Sequence, residues 1–241
     1  MVSCIRLHSW QQTESNFCYK ILYFIFDLCI MGNSKKQHWN HVYETKRADQ
    51  LSWTQDIPTT SLDFIHSFGL DKTAKIIDIG GGDSKLVDCL LEEGYEDITV
   101  LDISKKAIGK AKARLGENSK KVKWIVSDIE TFKPVEQYQV WHDRATFHFL
   151  TTSNQINTYL KAAKQSVDGY LTIGTFSKNG PTKCSGLNIK QYSESELQVQ
   201  LQDGFSKIRC VTEDHVTPFH TAQNFLFCSF KKRELTKTAS C

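Results

Sequence analysis

No Cys-x-x-Cys pair and no paired Cys/His spacing occurs in this 241-residue chain, although it carries eight cysteines, at positions 4, 18, 29, 89, 184, 210, 228 and 241. A disulfide framework or a zinc site would announce itself by such spacing, so neither is expected, and no metal ligand set is assigned. Cys89, Cys210 and Cys228 fall inside apolar runs, where a thiol acts as a small hydrophobe. That usage points to a reducing compartment, and a cytoplasmic location is expected. An excess of one charge is also missing. The formal net charge is +3, with Lys/Arg and Asp/Glu interspersed, so no nucleic-acid partner is expected. The apolar run Ile21–Met31 is broken by Asp27 and is too short to span a bilayer. No small-residue cleavage site follows it, and no membrane association is expected. The pattern Met31-Gly32 lacks the Ser or Thr that a myristoylation signal wants, since Lys36 stands there. Repeats and low-complexity linkers are absent. One domain over 31–233 is expected, with 1–30 an extension outside the fold and 234–241 a tail. Forty per cent apolar and 24 per cent charged residues suit an ordinary globular core.

What is present is a regular alternation of strand-like and helix-like segments. Polar helix 35–46 and helix 60–68 come first. Strand 75–79, helix 84–93, strand 98–102, helix 104–115, strand 122–127 and strand 138–142 follow. Helix 153–166, strand 169–176 and helix 194–202 come next, then strands 205–212 and 223–230. Ser104 is a plausible N-cap, Gly116 lies just past a helix end, and Ser193-Glu194-Ser195-Glu196 forms a capping box. The last two strands are joined by about ten residues, too few for a crossover helix, so they should pair antiparallel. The expected architecture is α/β: a doubly wound, seven-stranded, mostly parallel sheet with a late antiparallel strand and helices on both faces.

The most informative stretch is Lys75-Ile76-Ile77-Asp78-Ile79-Gly80-Gly81-Gly82-Asp83, a buried strand turning sharply into a helix. Glycines there let the backbone bend and let a ligand approach without a Cβ in the way. Twenty residues past Gly82, the run Ile98-Thr99-Val100-Leu101 ends in Asp102, placed to accept hydrogen bonds from ribose hydroxyls. A dinucleotide fingerprint beginning at Gly80 would need glycine at 85, where Lys85 stands. Asp78 adds negative charge where a pyrophosphate would lie. A positively charged ligand fits better. No Tyr-x-x-x-Lys pair supports a short oxidoreductase.

The pattern D-x-G-x-G followed by an acidic strand end resembles class I S-adenosylmethionine-dependent methyltransferases. His38-Trp39-Asn40-His41-Val42-Tyr43 is similar to the H-W-x-x-x-Y opening of small bacterial members and of the elongation-factor lysine methyltransferases. Asp143-Arg144-Ala145-Thr146-Phe147 resembles the D-[KR]-x-x-[FL] turn after their fourth strand. The resemblance covers roughly 37–231 and implies S-adenosyl-L-methionine as cofactor. It places the cofactor loop at Asp78, Gly80, Gly81 and Gly82, the ribose on Asp102 and Ile103, and the adenine on Asp128 and Ile129. Trp53, in a loop outside any apolar period, is a further cofactor-binding candidate. The implied activity is methyl transfer to a small-molecule acceptor. Alternatives are a protein lysine acceptor, or a cofactor-binding module without catalysis. The segment His142-Asp143-Arg144-Ala145 lacks the N-P-P-Y motif of some amino-methylating families.

Ligands in open α/β sheets sit beyond the carboxyl ends of the strands. That edge gathers His142, His148, His215 and His220, and the opening helix adds His38 and His41. The acceptor is expected between the turn 143–149, the loop 178–187 and the loop 215–220, with the opening helix as a lid. Asp143 and His148 are the first choices for orienting or deprotonating it. Capping of the following turn by Asp143 and half-buried packing of His148 remain open as structural roles.

Overall fold

Strand β1 (Lys75–Ile79) has Ile76, Ile77 and Ile79 without solvent exposure, as a central parallel strand covered on both faces requires. These coordinates come from a computed structural model that describes residues 35–234. The expected extension 1–30 and the last residues of the tail lie outside the described residues. Helix α1 spans 35–45, and α2 spans Thr59–His66. After β1 come α3 (Leu86–Glu92), β2 (Asp97–Asp102), α4 (Lys105–Leu115), β3 (Val122–Val126) and β4 (Tyr138–Arg144). Then follow α5 (Ser153–Ser166), β5 (Val167–Phe176), the short strands β6 (Lys183–Cys184) and β7 (Leu187–Asn188), and α6 (Glu194–Leu201). The edge hairpin β8 (Phe205–Val216) and β9 (Ala222–Lys232) ends the described fold.

The main sheet has the order β3-β2-β1-β4-β5-β9-β8. Strand β9 is antiparallel to both β5 and β8, while the remaining neighbours pair parallel. The expected seven-stranded sheet with a late antiparallel strand is therefore present. Helices α5 and α6 cover one face through Tyr159, Leu160, Ala163, Leu197 and Leu201, packed on Ile77 and Ile79. Helices α2 and α3 cover the other through Leu62, Ile65, Leu86 and Leu90, packed on Ile76. Each such side chain removed from water contributes about 1.5–3 kcal/mol.

Local chemistry starts and stops the helices as expected. Ser104 Oγ accepts from the Ala107 N–H at the start of α4, and Gly116 ends it with φ 56°. Ser193 and Glu196 form the capping box of α6. Thr152 and Gln155 form another at α5.

Three expectations change. β4 runs through Asp143 and Arg144 instead of ending at His142, because the backbone keeps pairing with β5 up to Arg144↔Gly174. β8 extends to Val216 and β9 begins at Ala222, so residues 217–221 connect them in place of about ten. The polar segment Thr212–His215 carries no apolar alternation, yet backbone pairing with β9 holds it extended. Third, Cys210 and Cys228 are joined in a disulfide, which corrects their reading as free thiols. They lie opposite each other across the hairpin, a proximity that sequence spacing does not reveal. Among the described residues no helix is long and apolar enough to cross a membrane.

Candidate active site

Strand order reverses between β1 and β4, and a cavity of about 580 Å³ opens at their carboxyl ends, the position this sheet topology reserves for ligands. Its lining follows the sheet. Asp128 and Ile129 come from the end of β3, Asp102 and Ile103 from β2, and Asp78, Gly80 and Gly81 from β1. His142, Arg144, Ala145 and Thr146 come from β4, Phe176 from β5 and Phe225 from β9.

The glycine turn is sterically required. Gly80 has φ +68°, and a Cβ there would lie 1.8 Å from Thr146 Oγ1. A Cβ on Gly81 would lie 2.4 Å from Asp78 Oδ2, so that glycine leaves room for the Asp78 carboxylate under the loop. Gly82 does not line the cavity. Its φ is +46°, and a Cβ would come within 2.8 Å of Asp102 Oδ2 and 3.2 Å of the Tyr43 hydroxyl. It therefore lets Asp102 and Tyr43 close up behind the loop, a structural part in place of ligand contact.

Asp102 is buried at the end of β2, where its Oδ1 accepts from the Ser104 N–H at 2.6 Å. Burial pushes its carboxyl up to about 7, with the nearby Asp78 adding to the rise and the Ser104 bond opposing it. Hydroxyl donors from a ribose would relieve that desolvation. Asp128 Oδ1 accepts from the Glu130 N–H at 2.9 Å, and burial raises its pKa as well.

Asp78 and His142 are register partners on β1 and β4, so their side chains leave the sheet on the same face. His142 Nδ1 lies 2.7 Å from Asp78 Oδ1, and its Nε2 has no protein partner. A carboxylate only accepts, so Nδ1 is the donor in this pair, and Nε2 is left for a partner from outside the protein.

Aromatic residues form part of the cavity wall. Trp39 on α1 packs edge-on against Trp53 and Phe149, at 5.8 and 5.2 Å between ring centroids. Trp53 donates from Nε1 to the Tyr43 hydroxyl at 3.3 Å. Helix α1 is fastened over the opening by the Lys35–Glu130 ion pair, and by Asn40 Oδ1, which accepts from Ser104 Oγ and the Lys106 N–H. Of the opening helix, Lys35, Trp39 and Tyr43 line the cavity. Cys184 also lines the cavity, and burial pushes its thiol up to about 12, so it stays neutral.

Asp143 and His148 do not line the cavity, which corrects their expected place beside the acceptor. Asp143 is fully buried, and its Oδ1 accepts from the Thr146 and Phe147 N–H groups at 2.9 and 3.2 Å. It caps the turn after β4, and burial pushes its carboxyl up to about 6. His148 is buried flat against Phe176, at 4.6 Å and 15°. Burial and the nearby Arg144 charge press its pKa down to about 3, so it is neutral in the working range. Of the six histidines expected at the rim, His142 alone lines the cavity. His215 is held by the Ser52 carbonyl at 2.7 Å, and the loop 215–220 gives way to Phe225 as the far wall. Sequence reasoning placed Arg144 and Phe149 in the acceptor turn 143–149 without a role of their own, and assigned no part to Phe176 or Phe225. A cation at the end of a buried strand was the available signal for Arg144. Nothing local marks the three phenylalanines.

Residues 76–168 match a family model described as a methyltransferase domain. A malonyl-[acyl-carrier protein] O-methyltransferase from Anoxybacillus flavithermus is 38% identical over 104 residues, 42% of this chain. The chain spans 38% of that relative's length. Among solved structures, an S-adenosylmethionine-dependent methyltransferase from Anabaena variabilis superposes with TM-score 0.67 at 10% identity, covering 84% of this chain and 95% of that one. The Burkholderia thailandensis 1,6-didemethyltoxoflavin-N1-methyltransferase, with bound 1,6-didemethyltoxoflavin and S-adenosylhomocysteine, superposes with TM-score 0.59 at 16% identity. That alignment covers 96% of this chain and 94% of the other. The fold is the one seen in solved S-adenosylmethionine-dependent methyltransferases, and the family match spans the glycine turn and the end of β2. The residues present fit that cofactor. The bare backbone at Gly80 and Gly81, the buried Asp102 carboxyl and the acidic Asp78 and Asp128 suit a ligand with ribose hydroxyls and positive charge.

Proposed function

We propose that this chain transfers a methyl group from S-adenosylmethionine to a small-molecule acceptor held inside the cavity. The observation that carries the reading is the Asp78–His142 pair in the wall of a largely apolar chamber covered by α1. When bound, S-adenosylmethionine supplies an electrophilic methyl on sulfur. The protein's own part is to align the acceptor, exclude water and accept a proton where the acceptor begins protonated. His142 Nε2 takes that proton, and Asp78 Oδ1 holds the Nδ1–H and stabilises the imidazolium that forms. Helix α1, with Trp39 and Trp53, keeps water from the reacting atoms. The cover of α1 favours a small acceptor over a lysine of a folded protein.

The test is transfer of labelled methyl from S-adenosylmethionine into a cell extract separated into small-molecule, protein and nucleic-acid fractions. Label should enter the small-molecule fraction, and His142→Asn should abolish it while S-adenosylhomocysteine still binds. Label confined to the protein fraction would overturn the acceptor assignment. Full turnover by the His142 variant would remove that residue from the mechanism.

A further inference from the structure

Arg144 stands at the end of β4 with most of its hydrogen-bonding capacity unused. Nη1 donates to the Trp53 carbonyl at 2.9 Å. Nε and Nη2 are shut off from bulk water and have no partner in the protein. Among the described residues no carboxylate forms an ion pair with it, and Glu213 and Asp78 act on its charge only from further away. A guanidinium keeps its charge even here, where burial brings its pKa down to about 10. Leaving buried charged donors unmet is unfavourable, so the arrangement asks for an anion. The free pair matters geometrically, because Nε and Nη2 form one edge of the guanidinium fork, and that edge matches the two oxygens of a carboxylate.

Sheet order says which ligand reaches it. Passing from β3 to β2 to β1, the cavity meets Asp128, Asp102 and then Asp78 with the glycine turn, which are the cofactor's positions in the reading above. Arg144 lies beyond them on β4, with its guanidinium carbon 5.1 Å from the centre of the Phe225 ring on β9. The neighbouring walls are Phe149, Phe176 and Leu187. With the cofactor sharing about 580 Å³, the space left is for a small body.

We infer that the acceptor is a small, flat, apolar molecule bearing a carboxylate, which the Nε–Nη2 edge of Arg144 holds while another atom of the molecule receives the methyl group. This rests on the methyl-transfer reading and names the substrate class of the same site. The carboxylate anchors and orients, and the proton lost by the methylated atom still goes to His142.

The experiment is calorimetric titration of the full chain, with and without saturating S-adenosylhomocysteine. The probes are benzoate, cinnamate and anthranilate, each paired with its neutral amide. The acids should bind at least about tenfold more tightly than the amides, the scale of one charge-assisted bond lost. Arg144→Met should erase the preference and Arg144→Lys should leave part of it, with S-adenosylhomocysteine affinity unchanged as the check on folding. Equal binding of acids and amides by the wild type, or a preference that survives in Arg144→Met, overturns the inference. So does a tenfold loss of S-adenosylhomocysteine affinity in Arg144→Met with 5′-methylthioadenosine affinity retained, since Arg144 would then serve the cofactor's own carboxylate. If S-adenosylhomocysteine fails to bind the wild type, the methyl-transfer reading falls. The titrations without it still report on Arg144.

Discussion

Acidification from pH 8 to pH 6 should weaken cofactor binding through one residue, Asp102. Its carboxyl is buried at the strand end and pushed up to about 7, so it titrates inside the working range. The cofactor's ribose hydroxyls donate, and the ionised carboxylate is the form that accepts both. With a pKa near 7, the ionised fraction is about one-tenth at pH 6 and about nine-tenths at pH 8. Affinity should therefore fall about ninefold across that interval, or ~1.3 kcal/mol. Asp102→Asn removes the charge while keeping the shape. Hydrogen bonds to a charged group contribute ~1.5–3 kcal/mol, so the variant should bind about 10- to 150-fold more weakly at pH 8. It should also show little change down to pH 6. Calorimetry with S-adenosylhomocysteine at pH 6, 7 and 8 on both proteins provides the readout. A flat wild-type profile would refute the ribose assignment. A slope retained in Asp102→Asn would shift the titration to another group.

The same carboxyl affects the ligand-free protein with a definite sign. Folding raises Asp102 from 3.8 to about 7 and Asp143 from 3.8 to about 6. Both favour the folded state when protonated, so their share of stability should be lost as pH rises from about 4 through 7, and Asp102→Asn should flatten that loss in urea titrations. Gly80→Ala should destabilise by at least ~1–3 kcal/mol through left-handed backbone strain, with the Thr146 Oγ1 clash adding to it. Thr146→Ala in the same chain should recover part of the loss, and full recovery would show that strain is unimportant. Reducing the Cys210–Cys228 disulfide should lower the melting temperature. Linkage of residues 18 apart contributes at most ~3 kcal/mol in the chain-entropy model. S-adenosylhomocysteine affinity should not change, and a drop would couple the edge hairpin to the cavity.

Local order in the chain determined a great deal here. The β-branched run into Gly80-Gly81-Gly82, the acid at the end of the next strand and the caps at Ser104 and Ser193 all act within a few residues of themselves. Such signals specify strands, turns and helix starts without knowledge of neighbours, and their alternation implies a parallel sheet with ligand-facing carboxyl ends. Asp78, Asp102 and Asp128 were legible for that reason.

The surroundings of the strand ends on the β4 side were decided by tertiary structure. Register between β1 and β4 sets Asp78 against His142, although 64 residues separate them. One extra turn of pairing carries β4 through Asp143 and Arg144, and alternation along that strand sends the two side chains to opposite faces. Asp143 is thereby withdrawn to cap a turn, while Arg144 enters the cavity. His148 lies four residues from Arg144, but the turn at Ala145 (φ 71°) folds it into the core on Phe176. Phe225 becomes a wall because β9 inserts between β5 and β8, which brings a residue from the last described strand beside the end of β4. Which face a strand residue occupies depends on its partners, and those partners are distant in sequence.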